Sequence, residues 1–370
     1  MSQVYADRRV RLRDRVAAAG SAAALVSRPA NVRYLAGGAP PGAVLLVGPD
    51  PGADLLIRPL AAEGEPLDGR LDEALRKQQL PLGGGDPAVA AAELARRCGA
   101  DGLAVEEHDL TVARHRSLAA AAPGLRLADL ACAVEQLRVV KDEDEIGCLR
   151  IAAEIADQAL GELLESILVG RTERHLALEL ERRLVDHGAD GAAFPTSVAT
   201  GPHSGRRGHR PTDRRVEEGD FLSVCLGADY HGYRCEIGRT FVIGTAPADW
   251  QIELYELVFA AQRAGRESLV PGAGYRDVDR AARQILDAAG HAETAVPLTG
   301  HGVGLEIHED PQLSPSAMGK LDACVPVTVE PGVHLPGRGG VRIDDTLVVR
   351  QEADGGPELL TITTKELLAL

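Results

Sequence analysis

Apolar and polar positions along the chain switch repeatedly between helical and strand periods, which predicts a mixed α/β protein. Residues 6–20 (ADRRVRLRDRVAAAG) carry apolar residues at helical spacing and stop at Gly20. Short apolar runs follow: AALVS, then GAVLLVG (42–48) and ADLLIR (53–58) joined by the turn PDPG. Asp86 and Pro87 mark an N-cap and first helical position, and Gly99 closes that helix. GLAVEE and LRLADL add strands, so an α/β domain is expected over 1–135.

Residues 136–370 form the second expected domain, opening on a long linking helix over 136–167. Thr172 caps a second helix that ends at Gly188. Strands are expected over 193–200, 221–227 and 232–243, helices over 249–268 and 275–289, and Gly-punctuated strands beyond 300. Two helix pairs, each leading into strands, suggest a duplicated α/β unit.

Length and composition agree with two domains. The chain has 370 residues, 45% hydrophobic and 26% charged, as in an ordinary globular protein. A formal charge of −15 argues against nucleic acid as a partner, because phosphate binding needs a basic face. The N-terminus is charged throughout, unlike a secretory signal, and no apolar run is long enough to span a bilayer. Six cysteines without metal-knuckle spacing read as reduced thiols, so a cytoplasmic protein without membrane contact is expected. The glycines of PLGGGDPAVA (81–90) lack a phosphate-loop pattern and read as a loop before a helix cap.

Chemistry concentrates in the second half. CLGADYHGYRCE (225–236) reads as a β-hairpin with a thiol at one end and a carboxylate at the other. GHGVGLEIHEDP (300–311), TVEPGVHLPG (328–337) and GVRIDDTLVV (340–349) bring two histidines and further acids into Gly-rich strands. Glu236, His301, Glu330 and Asp344 are oxygen donors with one imidazole, a mixture that suits Mn, Co, Fe or Zn acting on water. Against this stands the ordinary reading of acids as solvated surface charges and of Cys225 as a small core residue.

With FPTSVATGPHSG, RPTDRRVEEGD, GYRCEIGRTFVIG and LRVVKDEDEI in order along almost the whole length, the chain resembles the creatinase/prolidase/Xaa-Pro aminopeptidase family. The resemblance implies a small N-terminal creatinase-like α/β domain and a pita-bread catalytic domain, a mostly antiparallel sheet with covering helices. It also implies a homodimer and a small peptide or other small-molecule substrate. The family's dinuclear ligands, Asp, Asp, His, Glu, Glu, fall at Cys225, Glu236, His301, Glu330 and Asp344. His308 matches a histidine that stabilises the tetrahedral intermediate, and Arg342 one that orients carboxylates. Where the family has a substrate-site histidine this chain has Gly208, with His209 displaced by one, so His209 is a catalytic candidate that alternation turns to the other face. His334 stands in place of a family tyrosine.

Cys225 removes a carboxylate that the resemblance assigns to one metal only, and Mn prefers oxygen where Zn or Co accepts sulfur. The expected cofactor is therefore a divalent metal (Mn, Co or Zn), with a pair, a single ion or none left open. Hydrolysis of the N-terminal bond of Xaa-Pro peptides leads. The alternatives are metal-free, creatinase-like C–N hydrolysis and a non-catalytic peptide-binding protein. A nucleophilic Cys225 paired with His301 or His308 is a further, minor idea.

Overall fold

The computed structural model describes residues 2–60, 70–166 and 168–370, which form two compact units, Met1–Arg138 and Val139–Leu370. In the first, six strands lie in the order Gln79–Leu82, Leu55–Pro59, Val44–Val47, Ala23–Val26, Gly102–Val105, Arg126–Asp129. Antiparallel and parallel pairs mix in this sheet. The three central strands are apolar and buried at every residue, the pattern of strands covered on both faces. Helix Pro87–Arg97 begins as its sequence predicts: Asp86 accepts from the Ala88 N–H and Pro87 occupies the first turn.

The expected linking helix over 136–167 is two helices instead, Ala133–Arg138 and Glu143–Leu164. The second begins afresh because Asp142 accepts from the Glu145 N–H while the Glu145 carboxylate accepts from the Asp142 N–H. Ile167 lies outside the described residues.

In the second unit every strand ladder is antiparallel. Helices Glu143–Leu164 and Glu173–Asp186 share one core with strands Phe221–Leu226 and Ile237–Val242. Helices Asp249–Glu267 and Tyr275–Ala288 share another, through Val258, Ala261, Ala282 and Leu286, with the hairpin Gly332–Leu335/Gly339–Arg342. These cores hold four strand ends rigidly, and the chemistry sits on them.

Candidate metal centre

The hairpin read from CLGADYHGYRCE is present. Its tip pairs Tyr230 with Tyr233 across His231 and Gly232, both at positive φ, the geometry of a tight two-residue turn. Lower down, Cys225 pairs with Gly238. Residues 236 and 238 alternate onto the same face, so Cys225 and Glu236 are diagonal neighbours beside a glycine. Asp344 fills the space that glycine leaves: Gly238 and Asp344 exchange two backbone hydrogen bonds, and a Cβ on Gly238 would lie 2.0 Å from Asp344 Oδ2.

The remaining groups arrive from three other strand ends. His301 is the middle residue of Gly300–Gly302 and is 1% exposed. Its backbone N–H donates to Thr328 Oγ1, and its Nδ1 lies 3.1 Å from the Gly302 carbonyl. That contact directs Nε2 inward, the arrangement metal-binding histidines use. Glu330 follows strand Pro326–Val329, and Arg342 ends strand Gly339–Arg342.

Two groups of donors converge, Cys225–Glu236–Asp344 and Glu236–His301–Glu330, each with its ligand atoms within 4.8 Å. They share Glu236, and its two oxygens face different ways. Oε2 lies 3.6 Å from His301 Nε2, which is also 3.2 Å from Glu330 Oε1. Oε1 accepts from the Cys225 thiol at 3.1 Å and from the Arg342 guanidinium at 2.9 Å. Arg342 also donates to Glu330 Oε2 and, through Nε, to Asp344 Oδ1 at 2.9 Å. Asp344 Oδ2, seated in the Gly238 notch, lies 2.8 Å from Arg342 Nε in an ion pair but outside hydrogen-bond geometry.

Electrostatics follow from this crowding. Burial pushes the Cys225 thiol well above its ordinary value, and the Glu236 charge adds to it. Burial also raises Glu236, but the hydrogen bond from His301 and the Arg342 charge outweigh it and take the carboxyl to about 2. For His301 burial favours the neutral ring, yet Glu236 and Glu330 raise it to about 10. Burial lifts Asp344 to about 8; Arg342 pulls down while Glu236 and Glu330 push up. His308 is exposed, its ring edge-on to His301 with centroids 4.5 Å apart, and burial followed by the His301 charge lowers it.

A cavity of about 490 Å³ opens over Cys225, Glu236, His308 and Arg342 and reaches His209 and His334. His209 stands apart from those five residues, in a separate donor group with Glu173 and His203. Its Nε2 lies 2.9 Å from Glu173 Oε2, while His203 Nδ1 is 2.9 Å from Oε1 of the same buried carboxylate. Glu173 thus anchors two imidazoles. The sequence reading missed it because an acid just after a Thr cap looks like an ordinary first-turn residue.

The model for metallopeptidase family M24 matches residues 147–351, and that for the creatinase/prolidase N-terminal domain matches 8–140. The chain belongs to metallopeptidase family M24. An uncharacterized peptidase of Bacillus subtilis, YqhT, is 32% identical over 94% of this chain and 95% of its own length. The Xaa-Pro dipeptidase of Pyrococcus furiosus is 38% identical over 64% of this chain and 66% of its own. Among solved structures, an Xaa-Pro dipeptidase from Bacillus anthracis superposes with a TM-score of 0.89 at 31% identity, covering 99% of this chain and 100% of that one. The M24 assignment makes the chain an enzyme of the metallopeptidase type and its second unit a pita-bread domain.

Proposed function

We propose that this M24 enzyme hydrolyses the N-terminal bond of short peptides with proline second, as the names of its dipeptidase relatives indicate for them. The observation that carries the reading is the spacing of His301 Nε2, Glu330 Oε1 and Glu236 Oε2. Donors about 2.1 Å from one ion stand roughly 3.0–3.4 Å apart; the 3.2 Å separation falls within that range and the 3.6 Å one about 0.2 Å beyond it. Two carboxylate oxygens and an imidazole suit Mn, Co or Zn. His301, Glu330 and Glu236 would hold the ion, which supplies Lewis acidity at the scissile carbonyl.

The chain's own residues do the rest. His308, exposed beside His301 and neutral, offers an N–H to the oxyanion that develops on the carbonyl. Arg342 fixes Glu236 and Asp344 so that neither swings when substrate enters. His209, held by Glu173, lines the same cavity and would help bound the space for a peptide. A cytoplasmic location is supported by six free cysteines and by the lack of a membrane-spanning helix among the described residues; a homodimer rests on the family resemblance alone.

The test is elemental analysis after dialysis against Mn²⁺, Co²⁺ or Zn²⁺, with parallel assays on Ala-Pro and a longer Ala-Pro peptide. Bound metal and release of N-terminal alanine, both lost in Glu330→Ala, are expected. A protein that takes up no metal, or cleaves neither peptide, contradicts the proposal.

A further inference from the structure

We infer that this site takes one ion rather than two, and that the Arg342 guanidinium occupies the place of a second cation. The inference rests on the metal reading above and specifies its count.

The division of carboxylate oxygens carries it. Glu236 and Glu330 each turn one oxygen toward His301 and the other toward Arg342. Asp344 faces Arg342 through its carboxylate and stands within 4.8 Å of donor atoms of Cys225 and Glu236, on the side away from His301. The cluster therefore has two cation-facing sides. One is bounded by an imidazole nitrogen and is open to an ion; the other is filled by a guanidinium in contact with three carboxylates. Bidentate, planar donors suit this better than a mobile ammonium would.

The thiol agrees with the guanidinium. Cys225 donates its hydrogen to Glu236 Oε1, the oxygen that Arg342 also uses. An ion placed among Cys225, Glu236 and Asp344 would need that oxygen, a deprotonated sulfur and the volume of the guanidinium at once. Formal charge points the same way. Glu236, Glu330 and Asp344 total three negative charges when ionised; one divalent ion and one arginine balance them, whereas two ions and the arginine leave an excess of one positive charge in a buried site even with the Cys225 thiolate counted.

The experiment uses full-length protein titrated with Co²⁺ alone, followed by calorimetry and by absorption. Expected are one ion per chain and no sulfur-to-cobalt charge-transfer band. Two ions per chain, or a thiolate band in the unaltered protein, would overturn the inference while leaving the metallopeptidase reading intact. No bound cobalt at all would overturn that reading instead. In Arg342→Gln the vacated place is expected to accept a second ion, taking the stoichiometry toward two and bringing in the thiolate band, which Cys225→Ser added to that variant removes. An Arg342→Gln protein that folds, shown by an unchanged circular-dichroism spectrum, but still takes one ion with no band removes the role assigned to the guanidinium. If Arg342→Gln does not fold, the stoichiometry and spectrum of the unaltered protein decide alone.

Discussion

Gly238→Ala is the sharpest probe of the site, because the substitution adds one methyl group and removes no donor atom. The backbone at 238 is not in the left-handed region, so alanine is conformationally permitted there. Its Cβ would nevertheless lie 2.0 Å from Asp344 Oδ2 and 2.4 Å from Cγ, where real contacts stay above 3.0 Å. Asp344 or the strand must move by at least the difference, 3.0 − 2.0, or about 1 Å. Overpacking of this kind costs about 1–3 kcal/mol, which at roughly 2–4 °C per kcal/mol for a domain of this size is a fall of about 2–12 °C in Tm. Displacing a catalytic constellation by about 1 Å costs roughly a hundredfold in rate. The assay is kcat/KM on Ala-Pro with cobalt present, beside a melting curve. The double-mutant cycle with Asp344→Ala separates cause from coincidence: with the carboxylate gone, Gly238→Ala should cost little further stability. A Gly238→Ala enzyme with unaltered Tm and kcat/KM would refute the placement of Asp344. Equal costs in both backgrounds would show that the clash is with the strand instead.

Other expected outcomes follow from the same geometry. Glu330→Gln keeps the shape but gives up a charged acceptor for His301 and Arg342, so kcat/KM on Ala-Pro should fall by roughly 10²–10³. The neighbouring acids separate cleanly: Asp345 pairs with the fully buried Arg239 and accepts from Gln262 and Thr361, so Asp345→Ala should cost about 3–5 kcal/mol in urea melts. Asp344→Ala should instead weaken cobalt binding in calorimetry while the fold persists. Metal uptake should release a proton, since the ligand His301, raised to about 10, is protonated at pH 7. Calorimetry in buffers of different ionisation enthalpy should therefore report about one proton per ion at pH 7, falling away above pH 10. The sign for stability is opposite: His301 holds its proton more tightly when folded. For His301 the metal-free protein keeps this contribution below pH 6.5 and loses it as pH rises through about 10, which urea melts with and without cobalt would reveal.

The parts of this site legible in the sequence are those that depend on local spacing. Strand alternation around Gly227, Gly238 and the GHGVG segment places ligands on predictable faces, and the ordered motifs identify all five positions that converge. The Asp142 start of the helix to Leu164 was also written in the chain, as D-E-D-E, but the continuous apolar period across 137–142 concealed the break. Side-chain reach across strands is another matter. Nothing local says that Arg342 reaches Glu236, 106 residues away, or that His209 turns to Glu173, because both depend on where separate elements meet. The carboxylate exchange shows the same limit. Glu236 is one methylene longer than the family's aspartate and Asp344 one shorter than its glutamate, changes that look like damage when read singly. In the fold they oppose each other across Gly238: the shorter acid sits back in the glycine notch, and the longer one reaches past the thiol to His301. The two exchanges and the glycine are thus one coupled arrangement. Reverting Glu236→Asp alone should therefore weaken cobalt binding, and adding Asp344→Glu should fail to restore it, because the longer acid has no room in a notch that glycine already leaves as wide as any residue can. Full recovery by the double reversion would show that the glycine notch does not limit the acid at 344.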